Sequence, residues 1–259
     1  MKLLPALAIS AILLAPAPQA IAEDPRPEAV AGGDHWRIET SGGPVHVWRP
    51  AAYRPATAGL VIYIHGYDTT ADETWEADRL GEQFQASRRN ALFLVPEAPS
   101  SGGDAVRWER LGDLLEAATR GTGIAVPPRP VVAVGHSGAY RTVIPWLGSP
   151  RLEQVILLDA LYGRSNVRPF RDWLKRARGR RRLIVVAAET VQESKQLLRS
   201  FRHAVHRDEV PESVSGFAPR ERRAQLLSVR SQYGHQELVS EGKAIAPLLA
   251  LTSLAPLAD

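Results

Sequence analysis

Residues 131–140 read VVAVGHSGAY, and this stretch decides the fold of the chain. A β-branched apolar run, typical of a buried strand, stops at a turn of small residues and continues into a segment compatible with a helix. Small residues on both sides of a serine permit the tight strand-to-helix turn called a nucleophile elbow, which projects the hydroxyl outward. We therefore predict that Ser137 is a nucleophile. Ala139 stands at the last position of the motif, where glycine is more usual.

Short apolar runs of the same kind recur on both sides of this stretch. A strand that is covered on both faces must be apolar throughout, and such runs occupy residues 60–64, 91–95, 155–158, 183–187 and 226–229. Segments compatible with helices alternate with them at residues 77–88, 111–119, 138–147, 169–177, 191–205 and 236–251. Strict alternation of strand and helix requires crossover connections. The sequence therefore predicts an α/β fold, with a mostly parallel sheet and helices on both faces.

The segment before residue 60 predicts two further strands and a leader. Residues 36–40 and 45–49 alternate in polarity around a Gly-Gly turn, a pattern typical of an antiparallel hairpin, so that the sheet has eight strands. Residues 23–34 are rich in Pro, Glu and Ala without periodicity, and we expect a mobile leader there. The length of 259 residues suits a single α/β domain, which we place at residues 35–259.

The amino terminus has the three parts of a secretory signal peptide. Lys2 precedes an apolar core at residues 3–15, and residues 20–22 (Ala-Ile-Ala) form a cleavage site. The apolar core is shorter than the roughly 20 residues that span a bilayer. We expect residues 1–22 to be a cleaved signal peptide and the mature protein to be secreted or periplasmic, with no integral membrane association. The chain has no cysteine, which excludes disulfides and a lipid anchor on a terminal cysteine.

The charge of the chain argues against one class of partner. The formal net charge is +4, and the arginines are scattered along the sequence and do not form one stripe. A scattered excess of this size is typical of a solvated basic surface. We therefore predict no nucleic-acid partner.

Three motifs follow strand ends in a fixed order: residues 64–67 (Ile-His-Gly-Tyr), residues 135–139 (Gly-His-Ser-Gly-Ala) and residues 234–235 (Gly-His). In this order they resemble the α/β-hydrolase family, and the resemblance covers nearly the whole mature chain. It implies the α/β-hydrolase fold and a serine hydrolase of the esterase and lipase kind. The connection between residues 134 and 155 is short, which leaves no room for the large helical lid that many lipases carry.

A serine hydroxyl needs an adjacent base, usually an imidazole that a carboxylate orients. The chain has seven histidines. His136 lies in the elbow, and His65 belongs to the loop expected to help form an oxyanion hole. His203 and His206 are spaced i, i+3 and could bind a metal, but no third ligand is evident, so a solvated helix face is favoured and no metal site is predicted. His235 follows the last strand and is the predicted base.

Two carboxylates are candidates for the acid that orients this histidine. Asp159 follows the strand at residues 155–158, and Glu189 follows the strand at residues 183–187. The position of Glu189 resembles that of the acid in most α/β-hydrolases, and the position of Asp159 resembles that of the acid in pancreatic-type lipases. Residues 188–191 look like a strand running directly into a helix, where a glutamate would stabilise the first turn. We favour Asp159 and keep Glu189 as the alternative.

The remaining site residues are predicted on two grounds. One is the negative charge that acyl transfer builds on the carbonyl oxygen, and the other is the position of aromatic residues along the sheet. Preorganised N–H groups must stabilise that charge, and by position these are the backbone N–H groups of Tyr67 and Gly138. Aromatic side chains near the carboxyl ends of parallel strands are candidates for substrate contact. We expect Tyr140, Trp108 and Tyr162 in that role.

These features together predict an exported serine hydrolase that cleaves a carboxylic ester of a small molecule or a polymer through an acyl-enzyme. Ser137 would attack, His235 would carry the proton and Asp159 would orient the histidine. No metal or organic cofactor is implied. Two alternatives stay open, namely an amidase or peptidase with the same triad, and a non-catalytic binding protein on a hydrolase scaffold.

Overall fold

The structure is a computed structural model that describes residues 26–176 and 181–258. In these ranges ten strands form one sheet. They are β1 (Glu28–Val30), β2 (Gly33–Ile38), β3 (Val45–Pro50), β4 (Gly59–Ile64), β5 (Ala91–Pro96), β6 (Val131–His136), β7 (Leu152–Leu158), β8 (Arg182–Ala187), β9 (Val205–Arg207) and β10 (Leu226–Arg230). Their order across the sheet is β1-β2-β3-β5-β4-β6-β7-β8-β10-β9.

The direction of pairing changes once across this sheet. Strands β1, β2, β3 and β5 pair with one another in antiparallel fashion. From β5 to β9 every pairing is parallel. The carboxyl ends of seven strands therefore meet along one edge, where ligands bind in open α/β sheets.

Nine α-helices accompany the strands in the described ranges. They are α1 (Ala71–Ala77), α2 (Leu80–Ser87), α3 (Leu111–Thr122), α4 (Tyr140–Trp146), α5 (Arg164–Arg176), α6 (Val191–Leu198), α7 (Pro219–Arg223), α8 (Glu237–Ser240) and α9 (Ile245–Leu249). None of these helices is long and apolar enough to cross a membrane.

The helices cover both faces of the sheet, and each face has its own apolar core. Successive side chains of a strand point to opposite faces; Ile62 and Ile64 of β4 enter one core, and Val61 and Tyr63 enter the other. Helices α3 to α6 pack on the first core, while α1, α2, α8 and α9 pack on the second. The prediction of a mostly parallel sheet with helices on both faces is confirmed.

The sheet has ten strands, not the predicted eight, because two strands of three residues were missed. Glu28–Val30 pairs with β2, although residues 23–34 were expected to form a mobile leader, and Trp48 Nε1 donates to the carbonyl of Val30 at 2.9 Å. Val205–Arg207 pairs with β10, where the sequence favoured a helix. Three residues are too few to display the alternation by which strands are identified. The predicted signal peptide lies outside the described residues.

Two predicted helices differ from the helices in the structure. Residues 77–88 were expected to form one helix, but α1 ends at Ala77 and α2 begins at Leu80, because Arg79 has a left-handed φ of 47°. Residues 236–251 contain α8 and α9, with Gly242 at φ 73° between them. Helix α6 ends at Leu198. His203 and His206 consequently do not share a helix face, since His206 lies in β9 and His203 in the preceding turn.

Candidate active site

Ser137 lies in a strained turn between β6 and α4. Strand β6 ends at His136, and residues 137–139 form a short 3₁₀ turn that leads directly into α4. The φ of Ser137 is 52°, a left-handed conformation that costs a non-glycine residue about 1–2 kcal/mol. Gly66 of the neighbouring loop permits this turn, because a Cβ atom on Gly66 would lie 2.7 Å from Cβ of Ser137. The predicted strand, turn and helix are therefore all present.

His235 contacts a carboxylate that its surroundings hold in place. Nδ1 of His235 lies 2.7 Å from Oδ2 of Asp159, which follows the end of β7 and is fully buried. Oδ1 of Asp159 accepts hydrogen bonds from the backbone N–H groups of Ala188, Glu189 and Thr190 at 2.9–3.0 Å, and from the Thr190 hydroxyl at 2.8 Å. This pairing leaves Nε2 of the imidazole to act as a proton acceptor.

Glu189 is near this pair but has a different partner. Its carboxylate accepts a hydrogen bond from the hydroxyl of Tyr162 at 3.0 Å, and that hydroxyl lies 3.3 Å from Nδ1 of His235. Asp159, Glu189 and His235 offer ligand atoms within 4.8 Å of one another, a spacing that could hold a metal ion. Asp159 and His235 already use these atoms in hydrogen bonds, so the geometry favours a carboxylate–histidine pair.

The ionisation of the pair follows from these contacts. Burial by itself would raise the pKa of Asp159, but hydrogen bonds from His235, Thr190 and the backbone of Glu189 hold that pKa well below its usual value. The hydrogen bond to Asp159 raises the pKa of His235, and partial burial of the ring opposes this effect. Asp159 is therefore ionised at neutral pH, and its charge stabilises the protonated form of His235.

His136 lies inside the elbow, and its ring contacts both the ring and the backbone of His235. Burial, and then the neighbouring His235, lower the pKa of His136 to about 4, so this ring is neutral at pH 7. Its Nε2–H donates to the backbone carbonyl of His235 at 3.1 Å, and the two ring centroids are 4.7 Å apart. The contact fixes the backbone of the loop that carries His235.

The predicted oxyanion donors, Tyr67 and Gly138, lie against each other. A Cβ atom on Gly138 would lie 2.4 Å from the ring of Tyr67, so only glycine permits the contact. The loop before Tyr67 is fixed by His65, whose Nδ1 donates to the carbonyl of Gly66 at 2.8 Å and whose Nε2 accepts from the N–H of Ala98 at 2.9 Å. The structure thus places the ring of Tyr67 directly against the backbone of Gly138.

Ser137 and His235 line a cavity of about 420 Å³ at the carboxyl edge of the sheet. This volume lies within the range of roughly 300–1,000 Å³ that is usual for small-molecule sites. Two larger cavities, of about 750 and 920 Å³, contain neither residue. The smaller of these two is lined by residues at the amino ends of the parallel strands, such as Arg129 and Arg182. The position of a ligand site in such sheets favours the cavity at Ser137.

Of the three aromatic residues predicted to contact substrate, only Tyr162 touches the histidine. The prediction for Trp108 is wrong: its side chain is 5% exposed, belongs to the apolar core and packs on Gly42, where a Cβ atom would lie 2.5 Å from the indole. Tyr140 is half-buried and does not line the cavity of Ser137 either. Burial, and then the adjacent Tyr67, raise the pKa of Tyr140.

Sequence reasoning missed the polar end of the same cavity, which is formed by the end of β4, by α1 and by the loop between them. It is lined by Tyr63, Asp68, Thr74 and Asp78. Tyr63 could have been noticed, because it is the one residue with a polar group in the run Leu-Val-Ile-Tyr-Ile at residues 60–64. Asp78 gave no such signal, since an acidic residue that follows a helix is common.

A model of the alpha/beta hydrolase family matches residues 61–258 of the chain. No curated protein sequence matches the chain significantly. Many solved structures are similar to it in fold.

Three of these structures illustrate the likeness. An S-formylglutathione hydrolase from Agrobacterium tumefaciens is 11% identical with a TM-score of 0.56, over 88% of this chain and 98% of that one. A thermophilic carboxylesterase cloned from a metagenomic library is 14% identical with a TM-score of 0.56, over 88% and 91%. The fluorophosphonate-binding serine hydrolase F of Staphylococcus aureus is 8% identical with a TM-score of 0.58, over 87% and 100%. At these identities the likeness shows a shared fold.

Proposed function

The chain belongs to the alpha/beta hydrolase family, and from this premise and the geometry of the site we infer that it is a serine hydrolase that cleaves carboxylic esters. The observation that carries the proposal is the pairing of His235 Nδ1 with the buried Asp159 at 2.7 Å, because His235 and Ser137 line the same cavity. A carboxylate that fixes the imidazole tautomer leaves Nε2 free to accept the proton of a serine hydroxyl.

The proposed reaction has two halves. Oγ of Ser137 attacks the acyl carbonyl, and His235 accepts the hydroxyl proton and passes it to the leaving alcohol, so that an acyl-enzyme and a free alcohol result. Water then attacks the acyl-enzyme, gives its proton to His235 and releases the carboxylic acid. In both halves the backbone N–H groups of Tyr67 and Gly138 stabilise the negative oxygen of the tetrahedral intermediate.

The size and surroundings of the cavity favour a small or accessible ester. In the described ranges the segment between β6 and β7 holds only the elbow turn and α4, so no large helical lid covers the cavity from there. The similar structures described above include a carboxylesterase and a serine hydrolase. These activities support ester cleavage as the reaction of this chain.

A fluorophosphonate probe combined with p-nitrophenyl esters tests the proposal. We expect the unmodified protein to label with the probe and to hydrolyse p-nitrophenyl acetate, and Ser137→Ala to lose both. Ser215→Ala is the matched control, because that serine is exposed outside the cavity. Labelling together with cleavage of amides alone would identify an amidase, and the absence of both labelling and cleavage would favour a binding protein on a hydrolase scaffold.

We also propose that the protein is exported through the signal peptide at residues 1–22. The charged start, short apolar core and Ala-Ile-Ala site support this. The expected result is that the amino-terminal residue of protein purified from the periplasm or the medium is Glu23. An intact Met1 on cytoplasmic protein would contradict it.

A further inference from the structure

Two polar side chains at one end of the active-site cavity have no partner. Asp78 is 6% exposed, and among the described residues its carboxylate has no salt bridge. The hydroxyl of Tyr63 is fully buried and has no hydrogen-bond partner. Both residues line the cavity that holds Ser137 and His235. Buried polar groups are nearly always hydrogen-bonded in folded proteins, and these two side chains leave hydrogen-bonding capacity at this end of the cavity that a polar ligand can use.

The charge of the cavity limits what that ligand is. Among the described residues, the cavity lining contains two carboxylates, Asp68 and Asp78, and no lysine or arginine. The whole chain, by contrast, carries a formal net charge of +4. His136 is neutral at pH 7 because burial lowers its pKa to about 4. The cavity is thus locally negative on a basic protein and attracts a cationic group.

We propose that this end of the cavity is a subsite for an ammonium group of the ester substrate, which binds between the carboxylate of Asp78 and the phenol oxygen of Tyr63. The proposal rests on the proposed function, because the ammonium group belongs to the molecule whose acyl carbonyl Ser137 attacks. Asp78 is therefore a specificity-determining residue, and esters with a primary amine near the scissile bond are the preferred substrates.

The chemistry of the two side chains fits an ammonium ion better than a neutral group or a metal. Burial raises the pKa of Asp78 to about 6, which reflects the lack of a compensating cation in the free protein. An ammonium ion has three N–H donors and no acceptor, and oxygen acceptors on Asp78 and Tyr63 are what it requires. Neither residue belongs to the one cluster of potential metal ligands in the described ranges.

Two matched esters test the preference. Methyl β-alaninate and methyl butyrate have the same number of heavy atoms, but the first ends in an ammonium and the second in a methyl group. We expect kcat/KM of the unmodified protein to be at least tenfold higher for the ammonium ester. In Asp78→Asn this ratio falls to about one. Glu82→Gln, which removes an exposed carboxylate on α2 outside the cavity, keeps the original ratio.

A binding measurement separates failure of this inference from failure of the proposed function. Butylammonium and 1-butanol are titrated against the protein by ligand-observed NMR, with no reaction required. We expect butylammonium to bind at least tenfold more tightly than 1-butanol, and the difference to disappear in Asp78→Asn. Tyr63→Phe removes only a hydroxyl that has no partner, so it folds, and butylammonium binds to it severalfold more weakly.

The outcomes are distinct. Hydrolysis of neutral esters without any ammonium preference, or a preference that survives Asp78→Asn, overturns the subsite and leaves the serine hydrolase in place. Butylammonium binding that depends on Asp78, in a protein that cleaves no ester, supports the subsite and overturns the proposed reaction.

Discussion

Oδ2 of Asp159 lies 2.7 Å from Nδ1 of His235, and the same carboxylate is held by three consecutive backbone N–H groups at the end of β8. Glu189 contributes one of these N–H groups, while its side chain pairs with Tyr162. The two acidic residues therefore have separate tasks. The side chain of Asp159 orients the histidine, and the backbone of Glu189 orients Asp159.

Asp159→Asn is expected to lower kcat/KM for p-nitrophenyl acetate by about 10³-fold or more. An amide at this position no longer stabilises the protonated imidazole and favours the wrong tautomer. Glu189→Gln keeps the backbone N–H that Asp159 uses, so we expect its kcat/KM to fall less than tenfold. A larger loss in Glu189→Gln than in Asp159→Asn would transfer the role of the acid to Glu189.

The pH dependence of activity should reflect the raised pKa of His235. The hydrogen bond to Asp159 raises this pKa above its ordinary value of 6.5, and the imidazole must be neutral to act as the base. We expect kcat/KM, measured from pH 5 to 9, to rise with pH through a midpoint above 6.5. In Asp159→Asn the residual activity should rise at a lower pH, because the group that favours the charged imidazole is lost. An unshifted midpoint would contradict this assignment.

Asp78→Asn should stabilise the fold at neutral and higher pH. Burial raises the pKa of Asp78 from 3.8 to about 6, so the folded protein binds the proton more tightly than the unfolded chain. Stability from this group is therefore lost as pH rises from about 4 to 6, and the loss is on the order of 2–3 kcal/mol above pH 6. Asparagine carries no charge, so Asp78→Asn removes the cost of ionising a buried carboxylate. In urea denaturation its advantage over the unmodified protein should be largest at pH 8 and about half as large at pH 5.

The sequence predicts best what a local pattern determines. The elbow at Ser137 depends on small neighbours next to a strand, and the structure has that strand, turn and helix. The same applies to the buried runs that became β4 to β8. Strands β1 and β9 were missed because pairing with a neighbour, and not their own three residues, determines them.

Contacts between distant segments are what the sequence leaves open. Asp159 and Glu189 follow adjacent parallel strands, so both reach the same edge, and the contacts that distinguish them, such as the backbone N–H groups of residues 188–190, come from other segments. Trp108 follows β5 like a cleft residue, but it packs on Gly42 in the core. Tyr63 stands out in its apolar run, but the unpaired Asp78 is recognisable only once its surroundings are known.

Gly66→Ala should abolish most of the activity with little change in the fold elsewhere. A Cβ atom at this position would lie 2.7 Å from Cβ and 3.3 Å from Oγ of Ser137, a contact that must displace the nucleophile. A displacement of about 1 Å can lower the rate about 10²-fold, and we expect a loss of that size in kcat for p-nitrophenyl acetate.

Gly112→Ala is the matched control, because a Cβ atom there meets nothing within 4 Å. Gly112 is the second residue of α3, so the added methyl should not lower stability and should leave kcat unchanged. Full activity in Gly66→Ala would mean that the loop after β4 moves independently of the elbow, and the oxyanion donor assigned to Tyr67 would then lack a fixed position.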